Sequence, residues 1–245
     1  MISAVIIAKN EEKIIENALE SLKFCDEIIV VDNASEDKTA QIAKSFGAKV
    51  IRKESDNFSQ LRNTGQENSA GDYLLYIDAD EIVDETLSKS ILFEIKSNSS
   101  TSAYRLKRKN FYLGKYEWPY EEEIIRLFKK SKLLKWTGKI HESPLVDGNI
   151  ANLDGYILHF THRDLSQMLK KTIEWSDIES EIRLKAKHPK MTWWRFPRVM
   201  ITTFVKYYLI QKGYKLGTAG LIESIYQTYS MFITYAKLWE MQNKK

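Results

Sequence analysis

The chain has 245 residues, 43% hydrophobic and 29% charged, with 10 glycines and 4 prolines, which excludes a disordered or low-complexity protein and suits one large domain with or without an appendage. Its net charge of +4 hides a split: residues 1–100 carry 11 basic and 19 acidic side chains, the remainder 26 and 14. The basic part suits an anionic partner, whether phosphate, nucleic acid or an acidic membrane surface.

The chain opens on MISAVIIAKNEE, a short apolar run that meets Lys9, Asn10, Glu11 and Glu12 at once. A secretory signal places positive charge first, so this reads as a buried strand over residues 3–8. No apolar run reaches the ~18 residues that cross a bilayer. The expected location is cytoplasmic, peripheral on the inner face of the membrane. Asn10 is placed to cap a helix carrying Ile14, Ile15, Ala18, Leu19 and Leu22 at helical spacing. The single cysteine, Cys25, sits among Leu22, Phe24, Ile28 and Ile29 and reads as a buried, inert thiol in a reducing compartment.

A second strand over 27–31 ends at Asp32, with Ser35 as the next cap and Gly47 as the helix stop. A third strand over 49–52, a short helix around Leu61, and a fourth strand over 73–77 follow. Strands alternating with helices imply βαβ units and a parallel sheet, whose ligands gather at the C-terminal strand ends. Those ends are Lys9-Asn10-Glu11, Asp32-Asn33-Ala34-Ser35 and Asp78-Ala79-Asp80. No glycine lies between the first strand and first helix, so a dinucleotide fingerprint is missing, and no P-loop occurs. Carboxylates one residue apart, such as Asp78 and Asp80, can share a divalent cation of the Mg²⁺ or Mn²⁺ kind. The plainer reading is that Asp-Ala-Asp-Glu turns the chain and caps a helix.

The segments VIIAKNEE, IIVVDNASEDKT and LRNTGQENSAGDYLLYIDADE together resemble the family 2 glycosyltransferases over about the first ninety residues. The resemblance implies the α/β GT-A fold, Rossmann-like, with a mostly parallel sheet flanked by helices, and here a C-terminal helical appendage. It implies a nucleotide pocket lined by Ala8, Asn10 and Glu11, with Asp32 accepting from the base. Arg62 and Asn63 match the segment beside the nucleotide, where Arg62 would contact pyrophosphate. Asp78 and Asp80 match the Asp-x-Asp motif: Asp80 is the principal ligand of Mn²⁺ or Mg²⁺, and Asp78 lies nearer the ribose or the metal.

Family 2 enzymes invert the anomeric centre, with one carboxylate deprotonating the acceptor hydroxyl. Many carry that base in a Glu-Asp pair, which is absent downstream here. WTGKIHESPL, following IIRLFKK, resembles instead the bacterial subgroup that builds lipopolysaccharide core, and makes Glu142 the candidate base, with His141 a second catalytic candidate that would orient it, contact phosphate or act in its place. His159 is read equally as a late metal ligand or as a satisfied core histidine; His162 and His188 receive no role. The segment 104–119 interleaves basic and aromatic residues and reads as an acceptor loop with solvated charges rather than a nucleic-acid site.

Residues 165–187 read as a long amphipathic helix with Leu165, Leu169, Ile173 and Ile182 on one side. A short apolar helix bordered by Trp, Tyr, Arg and Lys follows, suiting an anionic membrane surface, with packing on the catalytic domain or a second subunit as the alternative. The last helix offers Leu221, Ile225, Tyr229, Phe232 and Ala236. The expected organisation is a catalytic domain over 1–163, with a nucleotide-sugar half to about 100 and an acceptor half beyond it, and helices over 164–245. The expected partners are a nucleotide-sugar donor, a UDP-sugar, and a glycan or lipid-linked acceptor of envelope synthesis. Two alternatives stand beside this. A sugar-phosphate nucleotidyltransferase would need an early glycine-rich loop that is missing, and a degenerate scaffold would not retain Asp32, Arg62, Asp78, Asp80 and Glu142 together.

Overall fold

The computed structural model describes residues 1–97, 99–139, 142–161 and 164–244. The chain forms two compact units, Met1–Lys109 with Glu122–His159, and Asn110–Glu121 with Phe160–Lys245.

In the first unit, β1 (Ile2–Ala8) is buried along its whole length. It lies between β2 (Glu27–Asp32) and β4 (Tyr73–Asp78), parallel to both, and β3 (Lys49–Arg52) extends the parallel set beyond β2. A strand paired on both edges and covered on both faces carries an unbroken apolar run, as residues 4–8 do. Beyond β4 the pairing turns antiparallel: β8 (Glu122–Lys129) runs against both β4 and β6 (Ala103–Tyr112), and β5 (Glu81–Val83) runs against β11 (Ile150–Phe160). The strand order is β3-β2-β1-β4-β8-β6-β11-β5. This is the α/β GT-A class expected, with its parallel pairs confined to the first half of the sheet.

Alternate residues of β1 serve two layers. Ala4, Ile6 and Ala8 pack with α1 (Ile15–Ser21), α2 (Thr39–Ser45) and α4 (Glu85–Lys96). Ile7 packs with Leu61 of α3 (Phe58–Asn68), and Val5 with Tyr76, Phe128 and Trp136, the last on β9 (Leu133–Thr137). Strand β10 (Ser143–Val146) pairs antiparallel with β9. Each fully buried Ile or Leu in these layers contributes about 1.5–3 kcal/mol.

Two expected caps are corrected. Asn10 has φ 56 and α1 begins only at Ile15, with no side-chain cap. Ser35 likewise precedes α2 by a turn, and its Oγ instead accepts from the Asn10 amide at 3.0 Å. These polar residues tie one strand-end loop to the other rather than starting helices. Asp84, by contrast, caps α4 by accepting from Leu87 N at 2.7 Å, and Asn57 caps α3.

The second unit holds β7 (Tyr116–Glu117), paired with the end of β6, and α5 (Leu165–Lys185), α6 (Arg195–Phe204) and α7 (Gly217–Asn243). A π-helical turn, Val205–Ile210, continues α6. Segment 104–119 is therefore strand and tight turn, not a loop, and its Arg108 is paired rather than solvated. The side of α5 bearing Leu165, Leu169, Ile173 and Ile182 is the exposed one; Met168, Thr172, Ser176 and Ser180 are buried. On α7, Leu221, Ile225 and Tyr229 are exposed, whereas Gly220, Ser224 and Thr228 are buried. Small residues let helices approach closely, and the buried hydroxyls bond back to carbonyls of their own helices, Ser224 to Gly220 and Thr228 to Ser224. Among the described residues, no helix is long and apolar enough to cross a membrane.

Candidate active site

The parallel strands bring the expected residues to one edge. Ala8 pairs with Asp32, and Ile7 with Asp78, so three strand ends lie side by side. The loops after β1 and β2 interlock. Glu36 N donates to Asn10 Oδ1 at 2.8 Å, and Glu11 N to Thr39 Oγ1 at 2.8 Å. Asp32 is buried and accepts from Ser35 N at 3.3 Å. Ala8, Asn10, Glu11 and Asp32 thus form one fixed wall.

Beside it stands a buried network of charge. Arg62, on the inner face of α3 and 2% exposed, donates from Nη2 to Asp78 Oδ1 at 3.0 Å and from Nε to Glu142 Oε1 at 2.6 Å. Its guanidinium lies 4.9 Å from the Trp136 ring and 5.7 Å from that of Tyr76, so aromatic faces complete its surroundings. Arg126, inside β8, donates to the other oxygen of Asp78 at 2.9 Å. Arg108 bridges Glu81 and Glu122, and Glu81 in turn accepts from Asp78 N. One buried nitrogen on each of Arg62 and Arg126, Nη1, has no hydrogen-bond partner.

Burial alone would raise the Asp78 pKa. The charges of Arg126, Arg62 and Arg108 outweigh it and hold the carboxyl well below the usual range. Burial alone would lower the Arg62 pKa, and Asp78 and Glu142 hold it above its ordinary value. Both groups are therefore charged at neutral pH.

Asp80 is paired with a histidine. His159 sits on β11 opposite Glu81, and its Nε2 lies 3.4 Å from Asp80 Oδ2. Burial would pull the imidazole down, but the hydrogen bond and charge of Asp80, with Glu81 behind, hold its pKa above the ordinary value. Among the described residues no cluster of three or more His, Cys, Asp or Glu is set to hold a metal ion. Both oxygens of Asp78 accept from arginine. Asp80 and His159, an oxygen and a nitrogen donor paired with each other, are the side chains that would meet such a cation. The Asp80 carboxylate fits Mg²⁺ or Mn²⁺ when substrate phosphate and water supply most of the other ligands.

Asn63 is turned away from this group. Its amide donates to Trp136 O at 3.1 Å and accepts from Trp136 N at 2.8 Å, fastening α3 to β9. His141 lies outside the described residues. Arg126 and Arg108 were given no role at this site from the sequence, and Glu81 was read only as part of Asp-Ala-Asp-Glu. Their signal was a charge inside an apolar strand, as in IIRLF, where Arg126 stands between Ile125 and Leu127.

The family model for glycosyl transferase family 2 matches residues 3–148. An uncharacterized glycosyltransferase of Rickettsia typhi is 31% identical, over 99% of this chain and 88% of its own. The lipopolysaccharide core biosynthesis glycosyltransferase LpsC of Rhizobium meliloti is 25% identical, over 98% and 92%. Among solved structures, glucosyl-3-phosphoglycerate synthase from Mycobacterium tuberculosis, in complex with Mn²⁺, UDP-glucose and phosphoglyceric acid, is 26% identical with a TM-score of 0.36. That match covers 46% of this chain and 43% of that one. The chain belongs to glycosyl transferase family 2 and is a glycosyltransferase.

Proposed function

We propose that this enzyme transfers a sugar, with inversion, from a nucleoside diphosphate sugar to a hydroxyl of a glycan or lipid-linked acceptor. A UDP-sugar is the donor and a lipopolysaccharide-core or related envelope glycan the acceptor. A nucleotide-sugar donor is in keeping with the family, and the acceptor class draws support from the name of the Rhizobium meliloti relative. The observation that carries the reading is that Arg62 touches both Asp78 and Glu142. This supports a common site for the strand-end carboxylate Asp78 and the candidate base, although they come from distant parts of the chain.

In this reading Ala8, Asn10, Glu11 and Asp32 receive the nucleoside. Asp80 and His159 would hold a divalent cation, which when bound neutralises charge on the diphosphate leaving group. The buried cations Arg62 and Arg126 add fixed positive potential beside it, in surroundings where such charge acts strongly. Glu142 takes the proton from the acceptor hydroxyl. The oxygen attacks the anomeric carbon as the bond to the diphosphate oxygen breaks on the opposite face. Arg62 orients Glu142 for this, and Asp78 holds Arg62 in place.

Calorimetric titration with UDP, with and without Mn²⁺, tests the reading. Metal-dependent binding that Asp80→Ala loses is the expected result. Absence of UDP binding under both conditions would overturn the choice of donor.

A further inference from the structure

Residues 182–222 contain nine lysines and arginines and no aspartate or glutamate. No other part of the chain sustains one sign of charge for so long. Within this run the surface is also apolar in a way that water does not favour. Trp193 is 83% exposed, Ile210 68% and Ile201 63%, with Trp194 and Leu209 also exposed. Arg198, Lys206 and Lys215 are exposed among them.

These side chains stand on an ordered frame. Thr203 is buried on the opposite side of α6. After the π-helical turn, Gln211 Oε1 accepts from Trp118 Nε1 at 2.9 Å, and a Cβ at Gly213 would come within 2.6 Å of Trp118. Phe204 stacks on Tyr208 with centroids 5.1 Å apart, and the Arg195 guanidinium lies 5.0 Å from the Trp194 ring. The apolar tips are thus held outward by packing behind them.

We propose that this surface, α6 with its π-helical extension and flanking turns, docks the protein on an anionic lipid bilayer. The indoles and aliphatic tips enter the headgroup and upper acyl region, and the basic residues meet the lipid phosphates. Three arguments select this occupant. A second copy docked through the same patch would bring two uncompensated positive surfaces together, because a two-fold interface pairs a patch with itself. A nucleic acid would find aromatic platforms but has no use for Ile201, Leu209 and Ile210, which cannot stack on bases. Spanning is excluded for this element, since no described helix is long and apolar enough. The proposal is independent of the donor and acceptor assigned above.

Co-sedimentation of the full chain with vesicles tests it. Vesicles of phosphatidylglycerol and phosphatidylcholine in equal parts should bind the protein, and pure phosphatidylcholine should bind it at least tenfold more weakly. High salt should weaken the anionic case. R198Q/K206Q/K215Q should lower partition roughly a hundredfold, since each basic residue near such a surface is worth roughly a fivefold change. I201S/I210S should weaken binding while leaving its salt dependence. Unchanged thermal midpoints show that both variants are folded. Equal or absent binding to the two vesicle types would overturn the proposal. So would self-association that R198Q/K206Q/K215Q abolishes, or tighter binding to an oligoribonucleotide than to the anionic vesicles.

Discussion

Arg62 and Glu142 stand 80 positions apart in the chain and meet at 2.6 Å, Nε to Oε1, with Arg62 almost wholly buried. The same guanidinium holds Asp78. A helix interior, a strand end and the approach to a small two-stranded sheet are therefore joined through one side chain.

Arg62→Met should expose what that junction contributes. Removing one partner from a buried charge network leaves the others uncompensated, at a cost of about 3–5 kcal/mol. Asp78 keeps Arg126, so the lower end of that range is expected. Urea unfolding measures it. A variant as stable as the wild type would show that Glu142 and Asp78 need no counter-charge from α3.

Gly65 governs how closely α3 approaches the sheet. A Cβ there would lie 2.2 Å from Val5 Cγ1, in the middle of fully buried β1. Gly65→Ala should push α3 outward and destabilise the protein by about 1–3 kcal/mol. Because Arg62 rides on the same helix, UDP affinity should fall with it. Stability loss without any change in UDP binding would separate α3 from the donor site.

The parallel half of the sheet is legible in the sequence because a doubly covered strand leaves a continuous apolar run. Residues 27–31, 49–52 and 73–77 are such runs or lie beside one. The strand-end polar residues are legible because ligands of such sheets gather there. Arg126 is not: its partner Asp78 is 48 positions away, and a single charge in a strand does not announce which side of the sheet it serves. The C-terminal helices mislead in the opposite sense. Periodicity locates the stripe of Leu165, Leu169 and Ile173 correctly, but packing there uses Ser176, Ser180 and Ser224, small residues with satisfied hydroxyls. Hydrophobic spacing marks a face without saying whether that face meets protein.

Cys25 gives a pH signature. Cys25 is partly rather than fully buried; that desolvation, followed by the charge of Asp26, pushes its thiol up to about 12. The unfolded chain has a cysteine pKa near 8.5. A group raised on folding gives stability that is complete below the unfolded value and lost as pH rises toward the folded one. The window is therefore about pH 8.5 to 12, with about 1–2 kcal/mol lost near pH 10 relative to Cys25→Ala. Urea midpoints of both proteins across that range measure it. Rapid reaction of native Cys25 with a thiol reagent at neutral pH would contradict the inert thiol directly.

Asp80→Ala and Glu142→Gln should fail differently, and the contrast separates binding from chemistry. Asp80 pairs with His159, whereas Asp78 is held by Arg62 and Arg126, so in the proposed reading loss of Asp80 should remove metal-dependent donor binding. Glu142→Gln keeps shape and a hydrogen-bonding oxygen for Arg62 but removes the base. UDP binding should persist while transfer falls by about 10²–10⁴-fold, the usual weight of general base catalysis. Both variants are read by calorimetry with UDP and Mn²⁺ and by single-turnover transfer. Transfer at the wild-type rate in Glu142→Gln would take the base role from Glu142 while leaving the donor site intact. Loss of UDP binding in that variant would show instead that the Arg62 contact matters for the nucleotide, because Arg62 would then be misplaced for its pyrophosphate.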